Sequence, residues 1–151
     1  MKTKQCSKCK QVKPASGFGK NKKHSTGYNS WCKQCVRESS KRYAQTPRGI
    51  YAGLKSRMNF YHTKPVIISK EEFITWYNET PNICAYCDIP ENLLEKLIDT
   101  HNNARTRLTI DCKDNDAGYI KGNIVFACNR CNNTKNNFFD YETLEKLHRN
   151  T

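Results

Sequence analysis

Eight of the nine cysteines in this 151-residue chain fall into four Cys-x2-Cys pairs: Cys6 and Cys9, Cys32 and Cys35, Cys84 and Cys87, Cys128 and Cys131; only Cys112 is left over. A two-residue gap lets both sulfurs of such a knuckle face one ion at about 2.3 Å, and two knuckles complete the tetrahedron that Zn²⁺ prefers. Chain order pairs them: 22 residues separate Cys9 from Cys32 and 40 separate Cys87 from Cys128, so the first knuckle joins the second and the third joins the fourth. The chain is expected to hold two structural Zn²⁺ ions. A disulfide framework is the competing reading, and the odd cysteine count and the lack of a secretory signal argue against it.

Zinc also answers a shortage of core. Only 36% of the residues are hydrophobic, whereas ordering the backbone costs about 1 to 2 kcal/mol per residue. Each closed zinc site supplies apparent binding energy on the order of 10 kcal/mol, because its ligands assemble only as the chain folds.

Charge is unevenly spread. Residues 1–60 hold 15 Lys and Arg against the single acid Glu38, while residues 61–151 hold 11 against 13 acids. A front segment this basic attracts a dense polyanion, most often nucleic acid; the bland alternative is a solvated lysine-rich face. No stretch approaches the roughly 18 consecutive apolar residues of a membrane helix. The expectation is a soluble, cytoplasmic protein with no membrane partner.

Three segments are expected. Residues 1–45 read as a basic, zinc-ribbon-like DNA-contact module, with Lys20, Lys22, Lys23 and His24 in its loop; His24 is read as a solvent or phosphate contact, since four cysteines already fill the site. Residues 46–80 read as a helical connector. Thr46-Pro47 opens a helix with Ile50, Leu54, Met58 and Tyr61 on one stripe and Arg48, Lys55 and Arg57 on other faces, and Ser69-Lys70-Glu71-Glu72 is a capping box for a helix carrying Phe73, Ile74, Trp76 and Tyr77. Residues 81–151 contain a short helix from Glu91, a strand at Arg107 to Asp111, a long turn and a strand at Asn123 to Ala127. The last knuckle then leads into a helix through Phe138, and Asp140 caps a final helix with Leu144 and Leu147 inward.

In that last segment Asp111 ends one strand and Asn132 directly follows the final zinc cysteine. Both can reach one point beside the helix, and a hard cation such as Mg²⁺ takes oxygen ligands, often only one or two of them from protein. Leu108-Thr109-Ile110-Asp111, Gly118-Tyr119, Asn123-Ile124-Val125 and Cys128-x2-Cys131-Asn132-x2-Lys135 resemble the HNH, or ββα-metal, nucleases. The cysteine layout and the Phe73-x2-Trp76-Tyr77 segment extend the likeness to restriction endonucleases of the PacI type, over about Gln5 to Phe139.

The resemblance implies a small α+β protein, a zinc-stapled ββα-metal (HNH) nuclease core with an N-terminal zinc-ribbon-like module. It implies that Asp111 and Asn132 bind one catalytic Mg²⁺ or similar divalent ion, that Asn123 braces the long turn, and that Lys135 meets phosphate. The usual family histidine after the aspartate is replaced by Cys112; the PacI type also lacks it. Cys112 as thiolate, His101 and Tyr119 are the candidate proton acceptors, and a small buried filler is the other reading of Cys112.

The implied function is Mg-dependent hydrolysis of phosphodiester bonds in double-stranded DNA, of restriction or of homing or phage type, with Lys20, Lys22, Lys23, Arg48, Lys55, Arg57 and Lys135 as DNA contacts. A palindrome-cutting restriction enzyme would be a homodimer, whereas a homing or phage enzyme is often monomeric. The alternative is a non-catalytic zinc-ribbon nucleic-acid-binding protein, in which the missing histidine marks lost activity.

Overall fold

The computed structural model describes residues 2–61, 64–97, 106–136 and 138–149. The chain divides into two compact units, Met1–Ile50 and Tyr51–Thr151.

In the first unit, backbone structure presents both knuckles. β1 (Thr3–Gln5) and β2 (Val12–Pro14) pair antiparallel with Lys4 opposite Lys13, and the Cys6 and Cys9 knuckle forms their turn. Lys10, at φ 61°, takes the left-handed conformation that closes this turn, and its N–H donates to the Cys6 carbonyl at 2.9 Å. β3 (Phe18–Lys20) pairs with β4 (Tyr28–Cys32), and α1 (Lys33–Ala44) starts directly after Cys32. The second knuckle therefore straddles a strand end and a first helical turn. Cys6, Phe18, Cys32 and Cys35 form the buried core, with Cys9 and Tyr28 packed against it. One phenylalanine among cysteines buries little apolar surface for a unit of this length, and a metal held by the four sulfurs would supply the stabilisation that this core lacks.

The unit boundary falls within α2 (Pro47–Tyr61), whose first turn is capped by Thr46 Oγ1 accepting from the Gly49 N–H at 3.1 Å. A Cβ at position 49 would lie 1.9 Å from the Tyr43 carbonyl oxygen, so glycine is required for the chain to turn this tightly out of α1.

The second unit is built around a hairpin and the helices that cover it. β5 (Thr109–Cys112) and β6 (Ile124–Ala127) pair antiparallel, with Asp111 opposite Val125 and Cys112 opposite Ile124. α3 (Lys70–Glu79) is opened by the expected capping box: Glu72 N–H donates to Ser69 Oγ at 3.2 Å, and Ser69 N–H donates to Glu72 Oε2 at 3.1 Å. Its Trp76 and Tyr77 rings meet Phe126 of β6 at centroid distances of 4.8 and 5.1 Å. α4 (Glu91–Leu97), α5 (Asn129–Lys135) and α6 (Tyr141–Arg149) complete the unit, and Leu94 and Leu144 join Tyr86, Cys84 and Cys131 in one core cluster. Among the described residues no helix is long and apolar enough to cross a membrane.

Three expectations are corrected. The separate connector at 46–80 does not stand apart, because α3 packs its aromatic face on β6 and belongs with the second unit. The helix after the last knuckle stops at Lys135, where Asn136 at φ 36° turns the chain out of helical geometry. Leu144 faces inward, but Leu147 is 53% exposed.

Candidate active site

Two sulfur clusters frame the molecule's chemistry. The ligand atoms of Cys6, Cys9, Cys32 and Cys35 all lie within 4.8 Å of one another, and so do those of Cys84, Cys87, Cys128 and Cys131. In each cluster the thiols are pushed apart in acidity. Burial opposes ionisation of Cys6, but backbone hydrogen bonds at Cys32, Cys9 and Lys8 lower it to about 6, while burial pushes Cys35 up to about 12. Contacts with the Cys128 and Cys131 sulfurs hold Cys84 far below the usual thiol range, and contacts with Cys128 and Cys84 drive Cys131 far above it. Sulfurs this close cannot all ionise without a cation between them, and a donor set made only of cysteine sulfurs, four to a site, fits structural zinc. Lys13 adds positive charge, its ammonium lying 3.7 Å from the Cys32 sulfur.

The second cluster borders a cleft of about 350 Å³ lined by Lys64, Asp111, Asn132, Asn133 and Asn136. Strand alternation places the aspartate. Thr109 and Asp111 lie on one face of β5 and meet Asn132 and Lys135, which are three residues apart on α5. The Asn132 amide donates to Thr109 Oγ1 at 2.9 Å, and the Lys135 ammonium lies 3.6 Å from Asp111 Oδ2. Tyr86, from inside the third knuckle, donates its hydroxyl to the same Asp111 oxygen at 2.6 Å. Burial, reinforced by the Asp111 carboxylate, pushes the Tyr86 hydroxyl far above its ordinary range, so it remains a donor. Asp111 and Asn132 thus bring two oxygen-bearing side chains to one wall, which suits a hard divalent ion.

Asn123 ties the long turn together. Its amide donates to the carbonyls of Asp114 at 2.8 Å and Gly118 at 2.7 Å, and its oxygen accepts from the Asp114 N–H at 2.9 Å. Gly118, at φ 69°, allows Pro65 to approach, and Tyr119 N–H donates to the Pro65 carbonyl at 2.7 Å. This contact holds the 64–68 segment where Lys64 reaches the cleft and donates to Asn115 Oδ1.

Several sequence-derived roles are corrected. Lys135 is 1% exposed, its ammonium donating to the Cys112 carbonyl at 2.7 Å and to Asn115 Oδ1 at 3.0 Å, so it braces the interior and does not meet phosphate. Lys55 is half-buried and donates to the Val66 carbonyl at 2.5 Å, tying α2 to the 64–68 segment in place of a DNA contact. The Cys112 side chain lies on the face of β5 opposite to Asp111 and is fully buried. Burial pushes its thiol up to about 11 despite nearby Lys64 and Lys135, the reverse of the expected activation. Tyr119 is half-buried, its hydroxyl raised by burial, and it is not among the cleft residues. His101 lies outside the described residues. Lys20, Lys22, Lys23, His24, Arg48 and Arg57 are all exposed.

Sequence reasoning missed Tyr86, Lys64, Asn133 and Asn136. Tyr86 carried one signal, an aromatic hydroxyl locked between two zinc cysteines. Lys64 carried none, because its position depends on the contact between Pro65 and Tyr119.

The hairpin β5 and β6 followed by α5, with zinc cysteines at the junction, defines a ββα-metal fold of HNH type. Among solved structures the chain is similar to the rare-cutting HNH restriction endonuclease PacI, a protein that perturbs DNA. The TM-score is 0.56 with 23% identity over 97% of this chain and 91% of that one. No protein family matches the chain by sequence, and no curated protein does.

Proposed function

We propose that this protein is a divalent-metal-dependent HNH endonuclease that hydrolyses phosphodiester bonds at specific sites in double-stranded DNA. The observation that carries the reading is the convergence of Asp111 and Asn132 on one cleft, flanked by the Lys64 ammonium. Asp111 and Asn132 would hold an ion such as Mg²⁺, which when bound polarises the scissile phosphate and stabilises the leaving 3′ oxygen. Lys64 takes the phosphate-contact role first assigned to Lys135, since it is the cation that lines the cleft. Tyr86 and Lys135 fix the Asp111 carboxylate from behind, and the Cys128 and Cys131 knuckle fixes the backbone leading to Asn132. Cys112 is not assigned as the proton acceptor, because its side chain lies on the strand face opposite to Asp111 and burial raises its thiol.

The basic first unit would grip the DNA through exposed Lys20, Lys22 and Lys23. The test is conversion of supercoiled plasmid by the zinc-loaded protein with Mg²⁺ added or omitted. Mg²⁺-dependent nicked or linear product supports the reading; tight DNA binding without any cutting would instead support the non-catalytic zinc-ribbon alternative. Linear product with ends at one sequence, together with the mass in solution, separates a palindrome-cutting homodimer from a nicking monomer.

A further inference from the structure

α1 spans 12 residues, about 18 Å at 1.5 Å per residue. Only Cys35 of this helix is buried and only Ser39 is half-buried; every other position is exposed. At about 100° per residue, Cys35, Ser39 and Arg42 share the face toward the zinc cluster. The opposite face carries Lys33, Arg37, Ser40, Lys41 and Ala44, with Val36 at its edge. Glu38, the one acid of the unit, lies off this face and accepts from the Gln34 amide at 3.1 Å. Lys33, Arg37 and Lys41 enter no ion pair among the described residues.

The unit that carries α1 has 13 Lys and Arg against one acid, so it holds the whole net charge of +12; Tyr51–Thr151 balances at 13 against 13. Lys33 begins the outer face, Arg37 stands near its middle and Lys41 lines one flank, while the small residues Ser40 and Ala44 complete the face towards its C-terminal end. Such a face matches a polyanion with a groove about one helix wide. The major groove of B-DNA, about 12 Å across, admits an α-helix, whereas the corresponding groove of duplex RNA is too narrow.

We infer that α1 enters the DNA major groove as the sequence-reading element of the first unit, with Arg37 and Ser40 at base edges and Lys33 and Lys41 on the flanking phosphates. The inference rests on the reading of the protein as DNA-directed and adds which surface reads the sequence. Zinc held by Cys32 and Cys35 would fix the helix at its first turn, so that the outer face reaches the groove without moving parts.

The experiment uses the full zinc-loaded chain without added Mg²⁺ and a pool of DNA duplexes, about 30 base pairs long with randomised centres, the bound fraction being sequenced. Wild type should enrich a motif. Arg37→Ala should keep two zinc ions and lose preference at one or two adjoining positions, on the order of tenfold. Lys33→Ala with Lys41→Ala should keep the motif but lower the slope of log affinity against log salt by about 1.8, or roughly 0.9 per phosphate contact. Unchanged motif and slope in these variants, no motif in wild type, or preference for a duplex RNA pool would overturn the inference. A protein that cuts plasmid with Mg²⁺ while its α1 variants select the wild-type motif leaves the nuclease reading intact and removes only the inference. Selection that depends on α1 in a chain that never cuts does the reverse.

Discussion

The Tyr86 hydroxyl donates to Asp111 Oδ2 at 2.6 Å, and Tyr86 is itself held between Cys84 and Cys87. A structural knuckle and a proposed metal ligand are thereby linked through one buried hydrogen bond. Tyr86→Phe keeps the ring and its packing at 5.3 Å from Tyr141 but frees the carboxylate. Loss of such a supporting partner typically costs about 10- to 100-fold. Single-turnover cleavage is expected to fall by about that factor with two zinc ions retained; an unchanged rate would show that Asp111 needs no such support.

Lys135 makes the opposite point about a charged residue. Its ammonium and the Asp111 carboxylate are both buried, so removing the cation strands a carboxylate in the interior. Lys135→Ala should lower the free energy of urea unfolding by about 3 to 5 kcal/mol. Lys22→Ala, at an exposed position, should cost less than about 0.5 kcal/mol and act on DNA affinity. Equal stability of the two variants would contradict the interior role.

Cys112 is expected to be a buried neutral thiol. Cys112→Ser should cut DNA with the wild-type pH profile. The folded thiol is raised to about 11 from an ordinary value of 9, so the folded state keeps its proton where the unfolded chain has lost it. Its contribution is full below pH 9 and is lost between about pH 9 and 11. Relative to Cys112→Ser, wild type should therefore lose stability over that window in denaturant titrations, and a constant difference between the two would refute the burial argument.

Zinc should support the two units unequally. The first unit has Phe18 and little else beside its cysteines, whereas the second also buries Leu54, Val66, Ile68, Phe73, Phe126 and Leu144. Metal analysis should find two zinc ions per chain, and gradual chelation should erase the ordered amide NMR signals of residues 2–50. A first unit that stays folded without metal would contradict this dependence.

The parts legible in the sequence were those set by short spacing. Cysteines three apart gave both clusters, Ser69 and Glu72 at the same spacing gave the capping box, and Asp111 and Asn132 were placed on one wall by strand and helix ends. Two errors had signals that were available. Lys135 follows Cys131 by four residues and so shares its inward face, and Cys112 follows Asp111 by one and so points away from it. Lys64 and the end of α5 were different. They depend on Pro65 meeting Tyr119 and on the backbone of Asn136, tertiary and conformational facts that no periodicity encodes.

The most direct measurement is plasmid cleavage by Asp111→Ala and Asn132→Ala, each first shown to carry two zinc ions and to bind DNA within about threefold of wild type. Asp111 and Asn132 line the cleft but are not zinc ligands, so their loss should leave zinc content and DNA binding in place, while Asp111→Ala strands the buried Lys135 ammonium and should lower stability about as much as Lys135→Ala does. Both variants are expected to leave supercoiled plasmid uncut with Mg²⁺ under conditions where wild type converts it. Cleavage at the wild-type rate by either variant would contradict the proposed metal site.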